Sequence, residues 1–473
     1  MSASGTAELV VVSNRGPFSL EPGQNGSFRA RPGGGGLAPS LVAALVGTSG
    51  ATWVAAALSD GDRMGAPAGS IDSGQAGLSL RLVALEPDVL SLAYDVVANA
   101  VLWFIYHGLF DTTRRPVFDR RWLEAWEGFR VYNRAFGEAV CEVAAPGAVV
   151  LVNDYHLPLV GAMLAAERPD LRTAHFSHTP FASPGELAVL PRGAATELME
   201  GMAGFGACGF HSPRWEGAFR RCVDESGVRL PRTFVARLGP DLARLQQMVA
   251  SPACSERLAS LQDKLGERRV VLRSDRLEPS KNLLRGLRAF DLLLEEHGRW
   301  RGSVVHLIRS YASRESLPEY LAYRSEVEHL AALVNERWAT KDYEPVIVDV
   351  EDDFAGTAAA LCVYDVLLVN PLRDGMNLVA KEGPALNARD GMLVLSEQAG
   401  AFDELGHEAF GVNPFDICET ADALHQALVL EGTERSERAG RLRALAVAHP
   451  PAEWLGAVLS HAVAPAAQLQ QLS

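Results

Sequence analysis

The sequence predicts an α/β fold of two doubly wound, Rossmann-like domains facing each other across a cleft. Three observations carry that expectation. Short apolar runs alternate with segments of helical apolar spacing along most of the chain, the pattern of parallel sheets covered on both faces. The length of 473 residues exceeds what one hydrophobic core fills, roughly 250–300 residues, so at least two domains are expected. A Gly239-Pro240 turn signal near the middle sets the joint within residues 238–255.

In the first half, strands are expected at residues 9–13, 51–55, 80–83, 149–152, 173–176 and 234–237, with one long helix over 120–144. In the second half, strands at 270–273, 304–308, 346–350, 366–369 and 393–395 alternate with helices at 283–296, 318–338, 355–363 and 377–388. The expected organisation is a first domain over 1–240, a second over 241–455 and a helical tail over 456–473 that folds back onto the first domain. Ligands of such open sheets bind beyond the carboxyl ends of strands, so the site is expected in the cleft.

Composition narrows the function. Hydrophobic residues at 48% and charged ones at 22% describe an ordinary globular protein. A formal net charge of −14 disfavours nucleic acid, so any phosphorylated substrate must be met by local arginines and lysines. The six cysteines are scattered with no zinc or redox spacing, and they read as reduced packing residues of a cytoplasmic protein. No leader pattern opens the chain, and the long apolar stretches read as interrupted by Gly, Pro or charge, so no membrane association is expected.

The run Arg373-Asp374-Gly375-Met376-Asn377-Leu378-Val379-Ala380-Lys381-Glu382 follows the strand at 366–369 and opens a helix. Backbone N–H groups and a helix dipole suit a diphosphate there, while Asp374 and Glu382 can accept from sugar hydroxyls. Their spacing of eight, a little over two helical turns, puts both acids on one face if the run is helical. A capped strand-to-helix turn is the alternative for the Asp-Gly pair alone. Arg276 and Lys281 follow the strand at 270–273, where two cations can neutralise a leaving diphosphate. A capped helix start with solvated charges is the alternative there, and the neighbouring Asp374 run favours phosphate. Gly33-Gly34-Gly35-Gly36 lets backbone approach a phosphate or sugar, but a surface turn accounts for it equally, and it matches neither a GxGxxG nor a Walker spacing. Asp154 and His178 end neighbouring strands and offer sugar-hydroxyl recognition or proton transfer. A structural hydrogen-bond hub is the alternative for His178.

Together these segments resemble the trehalose-6-phosphate synthase family of retaining glycosyltransferases. The resemblance runs over nearly the full chain: the start ending in Arg15, Gly35–Ala38, Asn99-Ala100-Val101-Leu102-Trp103, Asp154-Tyr155-His156-Leu157, His178-Thr179-Pro180-Phe181, Gly209-Phe210-His211, Asp275-Arg276-Leu277 with Lys281, Ser313-Arg314, the 373–382 run, and 393–397 with Ala399-Gly400-Ala401. It implies a GT-B architecture, with nucleoside-diphosphate glucose bound mainly by the second domain and glucose 6-phosphate mainly by the first. It implies Arg276 and Lys281 on the donor diphosphate, and Asp374 with Gly375, Met376, Asn377, Leu378 and Val379 on the donor sugar and phosphates. It implies Glu382 on the ribose, and Gly35 and Gly36 in a loop closing over the donor. On the acceptor side it implies Arg15, Tyr94, Trp103 and Arg314 at the phosphate and Asp154 at hydroxyls, with His178 near the transferred sugar. Retention is attributed in the family to front-face attack, so no carboxylate nucleophile is required.

The family's Leu-Trp-Pro stretch is here Leu102-Trp103-Phe104-Ile105-Tyr106-His107 and its Trp-x-Gly-Trp segment is Trp53-Val54-Ala55-Ala56, both near the expected acceptor site. Asp349-Val350-Glu351-Asp352-Asp353 falls where the family approaches the base. Its carboxylates can accept from guanine N1–H and N2 amino, whereas uracil has one ring N–H, which leans towards GDP-glucose over UDP-glucose. A solvated acidic helix start is the alternative. No metal or other cofactor is expected. Two further functions are weighed: a pseudo-glycosyltransferase joining an activated cyclitol to an aminocyclitol phosphate, and a non-catalytic sugar-phosphate sensor, which would be expected to lose Lys281, Asp374 or Arg276. Oligomeric state, including a homo-oligomer, is left open.

Overall fold

The computed structural model describes residues 6–22, 28–32, 41–42, 44–45, 50–72 and 77–463. The chain divides into two compact units, Met1–Leu238 with Pro451–Ser473, and Gly239–Pro450.

The first unit holds an eight-stranded sheet in the order Arg232–Val235, Ala207–Phe210, Arg172–Ser177, Ala144–Asn153, Ala7–Ser13, Ala51–Ala56, Leu78–Val83, Ser70–Asp72. All neighbours are parallel except the last pair. The chain builds outward from Ala7–Ser13 first on one side and then on the other. The strand order therefore reverses there, and ligands of doubly wound sheets bind beyond such a reversal. Ala51–Ala56 is buried at every position, as a strand covered on both faces must be. The helix Arg120–Val143 begins where the Asp119 side chain accepts from Trp122 N at 3.0 Å.

The second unit has six parallel strands ordered Val346–Val350, Val304–Ala312, Arg269–Leu277, Val366–Val369, Met392–Ser396, Phe410–Val412. Its reversal lies between Arg269–Leu277 and Val366–Val369. Helices Leu283–Glu296, Pro318–Trp338 and Phe354–Val363 cover it.

Several expectations need correction. The strand expected at 234–237 is Arg232–Val235, because its register is set by pairing Arg232 with Ala207 and Val235 with Phe210. The helix expected from 377 begins only at Val379, since Asn377 has φ of 79° and cannot be helical. Ala207–Phe210, Ser70–Asp72, Phe410–Val412 and the antiparallel pair Phe18–Pro22 with Phe28–Pro32 were not expected. The second junction falls after Pro450 rather than 455, because the whole helix Pro451–Val463 packs in the first unit. There Trp454, 1% exposed, sets its ring 5.0 Å from Phe176. One apolar stretch is less interrupted than expected: the helix Pro87–His107, whose most apolar 18-residue window has mean hydropathy 1.6, is long and apolar enough to cross a membrane, although 56% of that window is buried in the protein. Its middle, Leu92–Leu102, is wound as π-helix, and it packs along Arg120–Val143.

Candidate active site

The two strands flanking the reversal of the second unit deliver the charged residues. After Arg269–Leu277 the chain makes a short 3₁₀ turn, Pro279–Lys281, and passes through Asn282 at φ 62° into Leu283–Glu296. Asn282 holds that conformation by donating from Nδ2 to Asn370 O at 3.0 Å and Pro414 O at 2.7 Å. After Val366–Val369 comes the Asp374 turn. Lys281 Nζ meets Asp374 Oδ2 at 2.6 Å, joining the two strand ends directly. Asn377 Nδ2 donates to the same oxygen at 3.1 Å and Met376 N to Oδ1 at 3.3 Å. A second turn locks this one from behind: Asp374 N donates to Gln398 O, Gly400 N to Asp374 O and Ala401 N to Met376 O. A Cβ at Gly400 would collide with the Gly375 carbonyl, so only glycine allows the approach.

This geometry corrects the helical-face argument for the two acids. Asp374 to Leu378 precedes the helix, with Asn377 Oδ1 accepting from Ala380 N at 3.1 Å as its cap, so Asp374 sits in a turn and only Glu382 is helical. Burial pushes the Glu382 carboxyl up to about 7, with Arg244 pulling it back.

Burial would lower the Lys281 ammonium, yet the carboxylates of Asp374, Asp275 and Glu278 outweigh it and raise its pKa. Arg276 is likewise raised because Glu278 overcomes the cost of burial. Both cations therefore stay charged in a part-enclosed setting, where their attraction for a phosphate is screened less than in open water. Arg276 Nη2 lies 3.2 Å from Glu278 Oε1, and Arg314 Nη1 lies 3.1 Å from Glu278 Oε2. Arg314, expected with the acceptor set, is thus on the second unit beside Arg276. Arg273, fully buried, pairs with Asp275 and donates to the Lys281 carbonyl, bracing the turn from beneath.

Further along the carboxyl edge, Arg309 pairs with Asp349 and Asp353, and Arg257 reaches Asp353 at 2.9 Å. Asp353 also caps Phe354–Val363 through Gly356 N at 2.9 Å. The acidic segment is therefore both a helix start and an arginine-paired cluster. Tyr311 lies opposite Arg276 in the register of the two strands and is 36% exposed; partial burial raises its hydroxyl's pKa, while Arg276 and Lys281 pull it back.

In the first unit, Arg15 and Asp154 stand just past the carboxyl ends of the adjacent parallel strands Ala7–Ser13 and Ala144–Asn153. Arg15 Nη2 donates to Tyr94 Oη at 3.3 Å. Trp103 is buried, with its ring centroid 3.9 Å from that of His107. Asp154 has φ of 71°. His178 Nδ1 lies 3.0 Å from His211 Nε2, and its Nε2 lies 3.0 Å from Asn153 Oδ1. Burial, then His211 and His175, hold its pKa well below the usual range. Both ring nitrogens of half-buried His178 are engaged, by His211 and Asn153, which is the geometry of the hydrogen-bond hub that the sequence offered as its alternative. Gly35 and Gly36 lie outside the described residues. Among the described residues, one acid-histidine group of metal-binding geometry, Glu296, His297 and Asp422, is at the far end of the helix that Lys281 precedes.

Sequence reasoning passed over Glu278, Arg309, Arg273 and Tyr320, whose hydroxyl accepts from Arg314 Nη1 at 2.8 Å. A carboxylate or guanidinium inside or just after an apolar strand run was the available signal for the first three.

The model of glycosyltransferase family 20 matches residues 7–463. A trehalose-6-phosphate synthase of Mycobacterium sp. (strain JLS) is 33% identical over 486 aligned residues, covering 96% of each chain. A bifunctional trehalose-6-phosphate synthase/phosphatase of Thermoproteus tenax is 31% identical over 91% of this chain, which spans 60% of that longer protein. Among solved structures, the Escherichia coli trehalose-6-phosphate enzyme bound with UDP-2-fluoro glucose superposes with a TM-score of 0.84 at 27% identity, covering 96% of this chain and 98% of that one. A UDP-forming α,α-trehalose-phosphate synthase of Burkholderia xenovorans, in complex with glucose-6-phosphate, gives 0.83 at 26% identity, covering 96% and 99%. With the family model spanning almost the entire chain and relatives above 30% identity aligned end to end, this protein belongs to glycosyltransferase family 20, the trehalose-6-phosphate synthase family of retaining GT-B glycosyltransferases.

Proposed function

We propose that the chain moves glucose from GDP-glucose, in preference to UDP-glucose, to glucose 6-phosphate with retention, releasing GDP and α,α-trehalose 6-phosphate. The observation that carries the transfer is the Lys281–Asp374 contact with Arg276 alongside: two persistent cations and a sugar-binding carboxylate gathered at the sheet's reversal. In this reading Arg276 and Lys281 stabilise charge growing on the leaving diphosphate, Asp374 and the 375–379 backbone hold sugar and phosphates, and Glu382 takes the ribose. Arg15, Tyr94, Trp103 and Arg314 serve the acceptor phosphate, and Asp154 its hydroxyls. The incoming hydroxyl gives its proton to the departing phosphate oxygen on the same face. Because side chains supply the positive charge, turnover is expected to persist in EDTA. Retention of Lys281, Asp374 and Arg276 supports an enzyme over a sensor. Six unbonded cysteines and sugar-nucleotide substrates fit a cytoplasmic setting.

Arg309 beside Asp349 supports the base preference. A guanidinium donates to guanine O6 and N7, and a neighbouring carboxylate accepts from N1–H and the N2 amino group; uracil has no matching pair. Tyr311 offers a ring for the base to stack on. Initial rates with each donor at fixed glucose 6-phosphate test this. GDP-glucose is expected to lead in kcat/KM by roughly five- to 150-fold, the worth of one bidentate base contact, and Arg309→Leu to erase the lead. Equal or reversed preference in the native enzyme would overturn the guanine assignment, and a cyclitol-only product would favour the pseudo-glycosyltransferase reading.

A further inference from the structure

Glu278 is 0% exposed, immediately after Arg269–Leu277, and no role follows for it from the family resemblance. Its Oε1 faces Arg276 Nη2 at 3.2 Å and accepts from the Ser280 hydroxyl at 2.9 Å. Its Oε2 faces Arg314 Nη1 at 3.1 Å. Its backbone carbonyl accepts from Lys281 N at 3.1 Å. One residue thus contacts Arg276 and Arg314 through its carboxylate and Lys281 through its backbone. Arg314 is further fixed by φ of 49° and by donating from Nη1 to Tyr320 Oη at 2.8 Å.

A buried carboxylate is costly to desolvate, and its usual compensation is one good partner. Here two guanidiniums share it, although each raises the cost of keeping the other charged: Arg314 acts to lower the Arg276 pKa while Glu278 acts to raise it. Without the carboxylate, the like charges would separate and each fork would lose the acceptor that orients it.

We propose that Glu278 is a positioning residue that couples the two substrates, aiming Arg276 at the donor diphosphate and Arg314 at the acceptor phosphate from a single carboxylate. The inference rests on the activity proposed above. Glu278→Gln keeps the shape and removes the charge; Glu278→Asp keeps the charge but is one methylene too short to span both guanidiniums. The measurement is kcat and both KM values for native enzyme, E278D and E278Q. E278D is expected to raise KM several-fold for nucleotide-glucose and for glucose 6-phosphate alike, and E278Q to raise both by roughly tenfold to hundredfold, the scale of one lost charge-assisted hydrogen bond. Should E278Q fail to fold, E278D alone decides. A rise confined to one substrate, or none, in an E278D enzyme whose native parent turns over normally overturns the coupling. Native enzyme that transfers no glucose strikes the underlying activity instead.

Discussion

Lys281 and Asp374 are ninety-three positions apart in sequence and 2.6 Å apart in space, and the contact has a direct reading in chemistry. On the proposed mechanism, removing the ammonium leaves the departing diphosphate short of one fixed cation. Lys281→Ala is expected to cut kcat by at least about 10²–10³, the effect of losing one transition-state donor, with native circular dichroism; near-normal turnover would contradict its role. Glu382 gives a second residue-level prediction. Its carboxyl is held near 7 by burial, and ribose hydroxyls donate best to the ionised form. Protonation on acidification therefore weakens binding, so the dissociation constant for the donor should rise about tenfold from pH 8 to pH 6. A flat profile, or the same slope in Glu382→Gln, would remove that assignment. Lys281 and Asp374 were marked in sequence because charge soon after an apolar strand is conspicuous, and Glu382 because it closes the same run. Glu278 and Arg309 carry a similar signal but were passed over, because the partners of Arg309 lie 40 and 44 positions away and no one-dimensional pattern marks a carboxylate shared between Arg276 and Arg314.

At the level of elements, the site is made by strand ends that bend sharply. Among the described residues, five non-glycine positions have positive φ, and Asp154, Asn282, Arg314 and Asn377 are four of them. Such conformations cost of order 1–3 kcal/mol each and persist where surrounding bonds hold them, as they do at functional sites. Asn377 combines two duties, capping Val379–Leu386 and donating to Asp374. Asn377→Ala should lose about 1–2 kcal/mol of stability from the cap alone and also weaken donor binding. Glycine at 377 should recover part of the stability through its tolerance of positive φ but not the binding, and recovery of both would mean the Asp374 contact is idle. The sequence marked the central strands and the long helices because their apolar periods are sustained. It missed the start of Val379–Leu386 and the short strands Ser70–Asp72 and Phe410–Val412. A turn held by side-chain bonds, and a three-residue strand defined by its neighbour, have too few residues to show a period.

At the scale of the molecule, each unit is a sheet wound from its centre outward, and the reversal of each sheet coincides with the residues of the proposed chemistry. The first unit is completed by a helix from the far end of the chain. Trp454 on that helix is buried against Phe176, next in sequence to Ser177 and His178. Trp454→Ala should lower stability by about 3–5 kcal/mol, visible as earlier unfolding in urea. An unchanged midpoint would mean the helix is only draped on the unit. Sequence alone anticipated a returning tail but began it five residues late, since 451–455 were assigned to the second domain, whereas Trp454 is buried in the first unit. The central claim is that the Arg276, Lys281 and Asp374 cluster drives glucosyl transfer with retention. The most direct test is NMR of the purified protein incubated with GDP-glucose and glucose 6-phosphate, following 31P for released nucleotide and 13C for the new linkage. The account predicts GDP release matched by an α,α-1,1-linked phosphorylated disaccharide; a β-configured linkage at the transferred glucose, or no nucleotide release from either GDP- or UDP-glucose, would contradict it.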